Sequence, residues 1–230
     1  MRDEDLRALA LRVGSELDER ESRNTLQSWQ LEDLQRALLF LTTFAYVLLE
    51  QHASRDATSH IQQARRRLGV EGLRNLRGVV FLANMGYVAP ARRLMAALAD
   101  AVLGLRYFRQ FPDDAEAWVG GGGPDAELMR ERLGAAGEPV ESEGSAVPAS
   151  RAAPPLLPLA ALLGEGNQQE QVARTLQRVG RLGSDLVLLL AEGLEGAFDS
   201  VGTMPLSRSD LDDALSLVEA LLLSSSVRAR

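Results

Sequence analysis

"ALLFLTTFAYVLL", residues 37 to 49, is the most apolar run of the chain. It is shorter than the roughly 20 residues a bilayer-spanning helix needs, so it predicts a helix buried in protein rather than in lipid. Leu34, Leu38, Leu41, Ala45 and Leu48 recur at spacings of three and four, with Trp29 ahead of them. That spacing lines one face of an α-helix and predicts a long helix from about Leu26 to Ala53 at the centre of the core.

The same period continues on both sides, and no segment alternates as a strand does. A first helix is expected over about 3 to 20, with a break in "RESRNT" (20–25). Ser59 followed by Gln62 has the spacing of a capping box, so a new helix is expected there, ending at Gly69. Further helices are expected over 70–85, stopped by Gly86, and from Pro90 to a stop at Pro112. A short helix in "PDDAEAWV" should end at the glycines 120–123. Beyond the Gly/Pro/Ser/Ala-rich stretch, helices are expected over about 167–198 and 208–225. Gly180, Gly183, Gly193 and Gly196 in the first of these weaken it or permit close helix packing, with one of the pairs a candidate break, and Ser209 with Asp212 is a candidate cap. The reading is all-α: a multi-helix bundle of antiparallel helices with a long internal loop. Residues 1–119 form the bundle core, 120–158 a flexible linker with one short helix near 125–135, and 159–230 C-terminal helices packing on the same bundle.

Composition narrows the chemistry. The 230 residues are 46% hydrophobic but only 5% aromatic, as a Leu/Ala-rich helical core requires. Cysteine is absent, which excludes disulfides and thiolate metal sites and fits a cytoplasmic protein. All 25 basic residues are arginine, which excludes a Walker-type phosphate loop, Schiff-base chemistry and a lysine base. The start, "MRDEDLRALALRVG", is acidic and amphipathic, unlike a signal peptide. No membrane span and no cofactor motif is expected, and no GxSxG turn marks a nucleophile.

The net charge of −7 is uneven. Residues 61–110 carry nine arginines against Glu71 and Asp100, whereas residues 111–150 carry two arginines against nine acids. Bulk charge therefore argues against nucleic-acid binding, but a local arginine surface could hold phosphates. Arg65, Arg66 and Arg67 are the candidates for such contacts.

Both histidines lie in "EQHASRDATSHIQQARRR" (50–67). His52, Asp56 and His60 at i, i+4 and i+8 would share one face of an unbroken helix, a conceivable set of metal ligands. With no ExxH pair and a helix break expected in between, no metal is assigned. A broken helix suits a different chemistry. Arg55, Asp56 and His60 resemble the Arg–polar–x3–His motif of the HEPN superfamily, helical bundles that include metal-independent ribonucleases. The resemblance implies an arginine stabilising charge on a phosphate and a histidine moving the proton of a 2′-hydroxyl or leaving oxygen. It also implies a homodimer that pairs two such motifs. Five residues apart on one regular helix, the two side chains would diverge by about 140°, so convergence needs a helix start between them.

Residues 74–118 resemble a bacterial family of helical proteins of unknown function that often occur with abortive-infection genes. Gly86, Ala91, Leu94, Tyr107, Pro112, Asp113 and Trp118 carry the likeness. The family's arginine is Ala96 here and its glutamate is Asp100: if that pair is functional this chain has lost half of it, and if it is structural Asp100 is left to find another arginine such as Arg77. These motifs are mostly packing signals, so the resemblance implies a fold more than an activity. Function is therefore expected to be that of a non-catalytic helical interaction or assembly subunit, in a bacterial defence or toxin–antitoxin-type system. It would act as a homo-oligomer or with a protein partner. The alternative is a HEPN-like ribonuclease acting on RNA through Arg55 and His60.

Overall fold

A computed structural model of the chain describes residues 11, 14–19, 21–25, 31–53, 59–138, 168–194 and 208–228. Its first long helix, α1 (Glu32–Ala53), opens with Glu32 and Asp33 at the positive end of the helix dipole. The predicted stripe is the buried one: Leu34, Leu38, Leu41, Ala45 and Leu48 have no more than 1% of their surface exposed. Leu39 and Tyr46, off that stripe, are exposed. Each buried leucine is worth about 1.5–3 kcal/mol relative to exposure, so α1 is held from one side. Trp29 lies outside the described residues, and no described helix is long and apolar enough to cross a membrane.

The helix α2 (His60–Asn84) begins where the capping chemistry predicts. Ser59 is extended at φ −97°, ψ 143°, and its hydroxyl accepts from the Gln62 amide at 3.3 Å. The expected stop at Gly69 is wrong, because α2 runs straight through it. A Cβ at Gly69 would lie 2.6 Å from Leu49 Cδ2 and 2.8 Å from Leu190 Cδ2. The glycine lets neighbouring side chains approach the α2 backbone instead of ending the helix. Gly72 serves likewise against Leu186.

The true end comes at Met85–Gly86–Tyr87. Gly86 is left-handed at φ +87°, the Gly86 amide donates to Ala83 O and the Tyr87 amide to Leu82 O at 2.8 Å. This Schellman pairing satisfies carbonyls that the helix end would leave open. It turns the chain into α3 (Val88–Gln110), which packs back along α2. Leu68 fits over Gly104, where a Cβ would stand 2.9 Å from its Cδ1.

Pro112–Asp114 forms one 3-10 turn leading to α4 (Ala115–Val119), and Gly121 at φ +86° ends that piece. Asp125 caps α5 (Ala126–Ala135) by accepting from Leu128 N at 2.9 Å. Of the stretch read as a linker, 139–158 lie outside the described residues. Its helix is docked: Met129 and Leu133 are buried in the common core. Two more described helices, α6 (Gln168–Glu192) and α7 (Arg208–Arg228), pack against α1. Gly180 and Gly183 do not break α6, which ends before Gly193. Ser209 lies inside α7 rather than at its cap. Residues 21–25, expected to be a break, are helical. They are tied to the hairpin corner by Asn24 Nδ2 donating to Met85 O at 3.0 Å and by Tyr87 Oη donating to Glu21. The hydrogen bond to Glu21 pushes the Tyr87 hydroxyl up to about 12. No strand occurs among the described residues, and the fold is all-α.

Candidate functional site

The histidine-bearing stretch divides between two helices. His52 belongs to the last turn of α1 and is buried, with Nε2 2.9 Å from Leu190 O. A carbonyl can only accept, so Nε2 carries the proton and donates. His60 is the first residue of α2 and is exposed. The two rings are thus not neighbours on one helix face: one closes a core hydrogen bond, the other meets solvent. Arg55 and Asp56 lie outside the described residues, as does the junction that joins the two helices. No group of three or more His, Asp or Glu that could hold a metal occurs among the described residues.

The arginine triplet also splits. Successive residues on a helix are rotated by about 100°, and Arg65 turns inward. A Cβ on Gly193 would stand 3.0 Å from His52 Cε1 and 3.1 Å from Arg65 Nη1, so the three share one corner at the end of α6. Burial lowers the pKa of the Arg65 guanidinium, and the charge of Glu192 opposes that shift. Arg66 and Arg67 turn outward into a groove of about 660 Å³ along α2. Its other lining residues are Gln63, Val70, Glu71, Arg74 and Asn75, with Ala97 of α3. The Arg67 guanidinium carbon sits 5.5 Å from the centroid of the Trp118 ring, a cation–π contact that orients the side chain.

Of the nine arginines in residues 61–110, two are committed to ion pairs: Arg106 to Asp185 at 2.6 Å, and Arg109 to Glu138 at 2.6 Å and Glu192 at 3.3 Å. Arg65 faces its buried corner. The remaining six, Arg66, Arg67, Arg74, Arg77, Arg92 and Arg93, are exposed and make no ion pair among the described residues. Arg74 and its neighbours were missed in the sequence because a helix ending at Gly69 separates them from the triplet. Along an unbroken helix, Arg67 and Arg74 at a spacing of seven return to within about 20° of one face, and that spacing was the available signal.

The acidic stretch after α3 is built around Tyr107. Its hydroxyl donates to Asp114, and Arg132 of α5 donates to both, at 2.8 Å to Tyr107 and 2.7 Å to Asp114. Burial raises the Tyr107 pKa; the bond to Asp114 adds to this and Arg132 opposes it. Phe111 stacks 4.8 Å from the Tyr107 ring, and Phe108 bridges to Trp118 at 5.4 Å. Tyr107 and Trp118 are therefore packing residues that seat α4 and α5 on the hairpin. Asp100 is paired at 2.5 Å with Arg130 of α5, not with Arg77.

Compared with known proteins, the chain matches no family model, no curated protein and no solved structure.

Proposed function

We propose that the chain is a non-catalytic helical interaction subunit that binds an acidic partner through the outward face of the α2–α3 hairpin. The observation that supports this most is the set of six exposed arginines without ion pairs, three of which line the groove. On a chain of net charge −7, a solubilising surface has no need to concentrate unpaired cations on one hairpin. Arginine is weakly hydrated and forms forked hydrogen bonds with carboxylates, which suits it to an interface. The resemblance of residues 74–118 to a family found beside abortive-infection genes supports a setting in bacterial defence.

Tagged protein recovered from the cells that make it should retain a partner, and Arg66→Glu with Arg74→Glu should lose it. Retention of the same partner by the double variant would remove this reading. A second reading, metal-independent RNA cleavage by Arg55 and His60, has one observation in its favour. Ser59, between the two residues, is the extended N-cap of α2, and convergence requires a helix start there. It predicts RNA nicking in EDTA that His60→Ala abolishes; nicking that survives the substitution rules it out.

A further inference from the structure

The arginine face adjoins a surface of opposite charge. Asp113, Glu116, Glu127 and Glu131 are exposed and make no ion pair among the described residues. Their neighbours Asp114 and Glu138, by contrast, are satisfied by Arg132 and Arg109. Two contacts locate the border. Arg67, in the groove, stacks on Trp118 of α4, whose first turn carries Glu116. Asp100, one helical turn from the groove residue Ala97, is paired with Arg130 of α5, between Glu127 and Glu131 in sequence.

Each patch also carries one exposed aliphatic side chain. Val70 lies among the arginines with 38% of its surface exposed, and Leu128 among the acids with 37%. A surface with adjoining positive and negative halves is self-complementary under a two-fold rotation about the border. The positive half of one copy then meets the negative half of the other, twice. A two-fold interface requires this self-complementarity of a single patch.

We infer that the acidic partner is a second copy of this chain, with the Arg66–Arg67–Arg74 groove of each protomer seated on the Glu127–Glu131 face of the other. The inference rests on the interaction reading above and names its partner. Charge pairs steer and register such an interface, while Val70 and Leu128 supply apolar contact within it. Because the pairs form between exposed groups, the association should weaken with salt. The screening length falls from about 10 Å at 0.1 M to about 3 Å at 1 M.

The test is sedimentation velocity of the full chain at low and high salt. The wild type should be a dimer that dissociates at high salt. Arg66→Glu/Arg74→Glu and Glu127→Arg/Glu131→Arg should each be monomeric. An equimolar mixture of the two should dimerise again, because each interface half then meets its complement. Recovery on mixing also shows that both variants are folded. A wild type that is monomeric at low salt overturns the assignment, and so does a dimer untouched by either pair of reversals. A monomeric wild type whose arginines are still needed to retain another protein or a nucleic acid overturns the second-copy assignment alone. Arginine reversals that alter neither association nor partner retention remove the interaction reading as well.

Discussion

On its inward side α2 presents Ala64, Leu68, Gly69, Gly72, Leu76 and Val79, all buried; on its outward side it presents Arg66, Arg67, Val70, Arg74, Arg77 and Phe81, all exposed. The inward residues are small or aliphatic because Leu49, Leu186 and Leu190 press on the backbone there. Size decides what is tolerated on that side. On the outward side only Arg67 meets a neighbouring ring, Trp118, and the composition of the rest answers to solvent and to whatever binds. A helix whose only duty was to fill the core could carry any polar residue there. This one carries arginines without ion pairs, interrupted by Val70, Glu71 and Phe81.

The contrast is broken most sharply from the inside. Leu76 is fully buried, and Leu76→Ala should lower the unfolding free energy by about 2–5 kcal/mol, through lost transfer energy and the cavity left behind. A chemical-denaturation midpoint measures it; a change under 1 kcal/mol would mean that α2 does not form the centre of the core. Gly69→Val comes next. The helix propensity that valine adds over glycine is worth no more than about 0.5 kcal/mol, and even the first added carbon would sit 2.6 Å from Leu49 Cδ2. Overpacking of this kind costs about 1–3 kcal/mol, so the net should be destabilising. If Gly69→Val were more stable than the wild type, the close approach would have no structural weight.

Gly69 also shows where sequence reading stops. The stripe of α1 was legible because its signal is periodic and local, and the start of α2 because Ser59 and Gln62 lie in one turn. A glycine inside a helical pattern has two physical uses, termination and close approach. The residues that decide between them here, Leu49 and Leu190, are remote in sequence. Misreading that one residue divided α2 and hid the arginine groove. The same limit explains the triplet: Arg65 turns inward because Gly193 and His52 leave it a corner, which no local pattern reports. Asp100 took Arg130 rather than Arg77 for a related reason. The docking of α5 depends on Met129 and Leu133 meeting a core assembled from other helices. Of the Arg55–Asp56–His60 motif, only His60, exposed at the start of α2, lies among the described residues.

A smaller effect sharpens the boundary between the two sides. Glu138, just past α5, accepts from Gln110 at 2.9 Å and from Arg109. The Gln110 hydrogen bond, then Arg109, hold its carboxyl below the ordinary value of 4.5, against burial that pushes it up. A carboxyl whose pKa is lower in the folded chain stabilises the fold above its unfolded pKa. That contribution disappears as pH falls through the lowered value. Glu138→Gln should therefore destabilise more at pH 7 than at a pH well below 4.5, by no more than about 1 kcal/mol for a pair near the surface. A difference that is the same at both pH values would assign the effect to packing rather than charge.

The smallest expected effect on stability is on the outward face itself. Arg66 and Arg74 are exposed and make no ion pair among the described residues, so replacing both with glutamate removes no contact on which the fold depends. Surface substitutions of this kind stay within about ±0.5 kcal/mol each. Here the local field even favours the change, since six unpaired arginines on one hairpin repel one another. Thermal unfolding at equal and very low protein concentration isolates this intrinsic term, because association stabilises only in proportion to bound partner. Near-equal midpoints, together with lost association, would mean that the outward arginines are kept for binding and not for folding. A loss of several kcal/mol in the monomer would instead make those arginines part of what holds the hairpin together, and the two sides of α2 would no longer differ in duty.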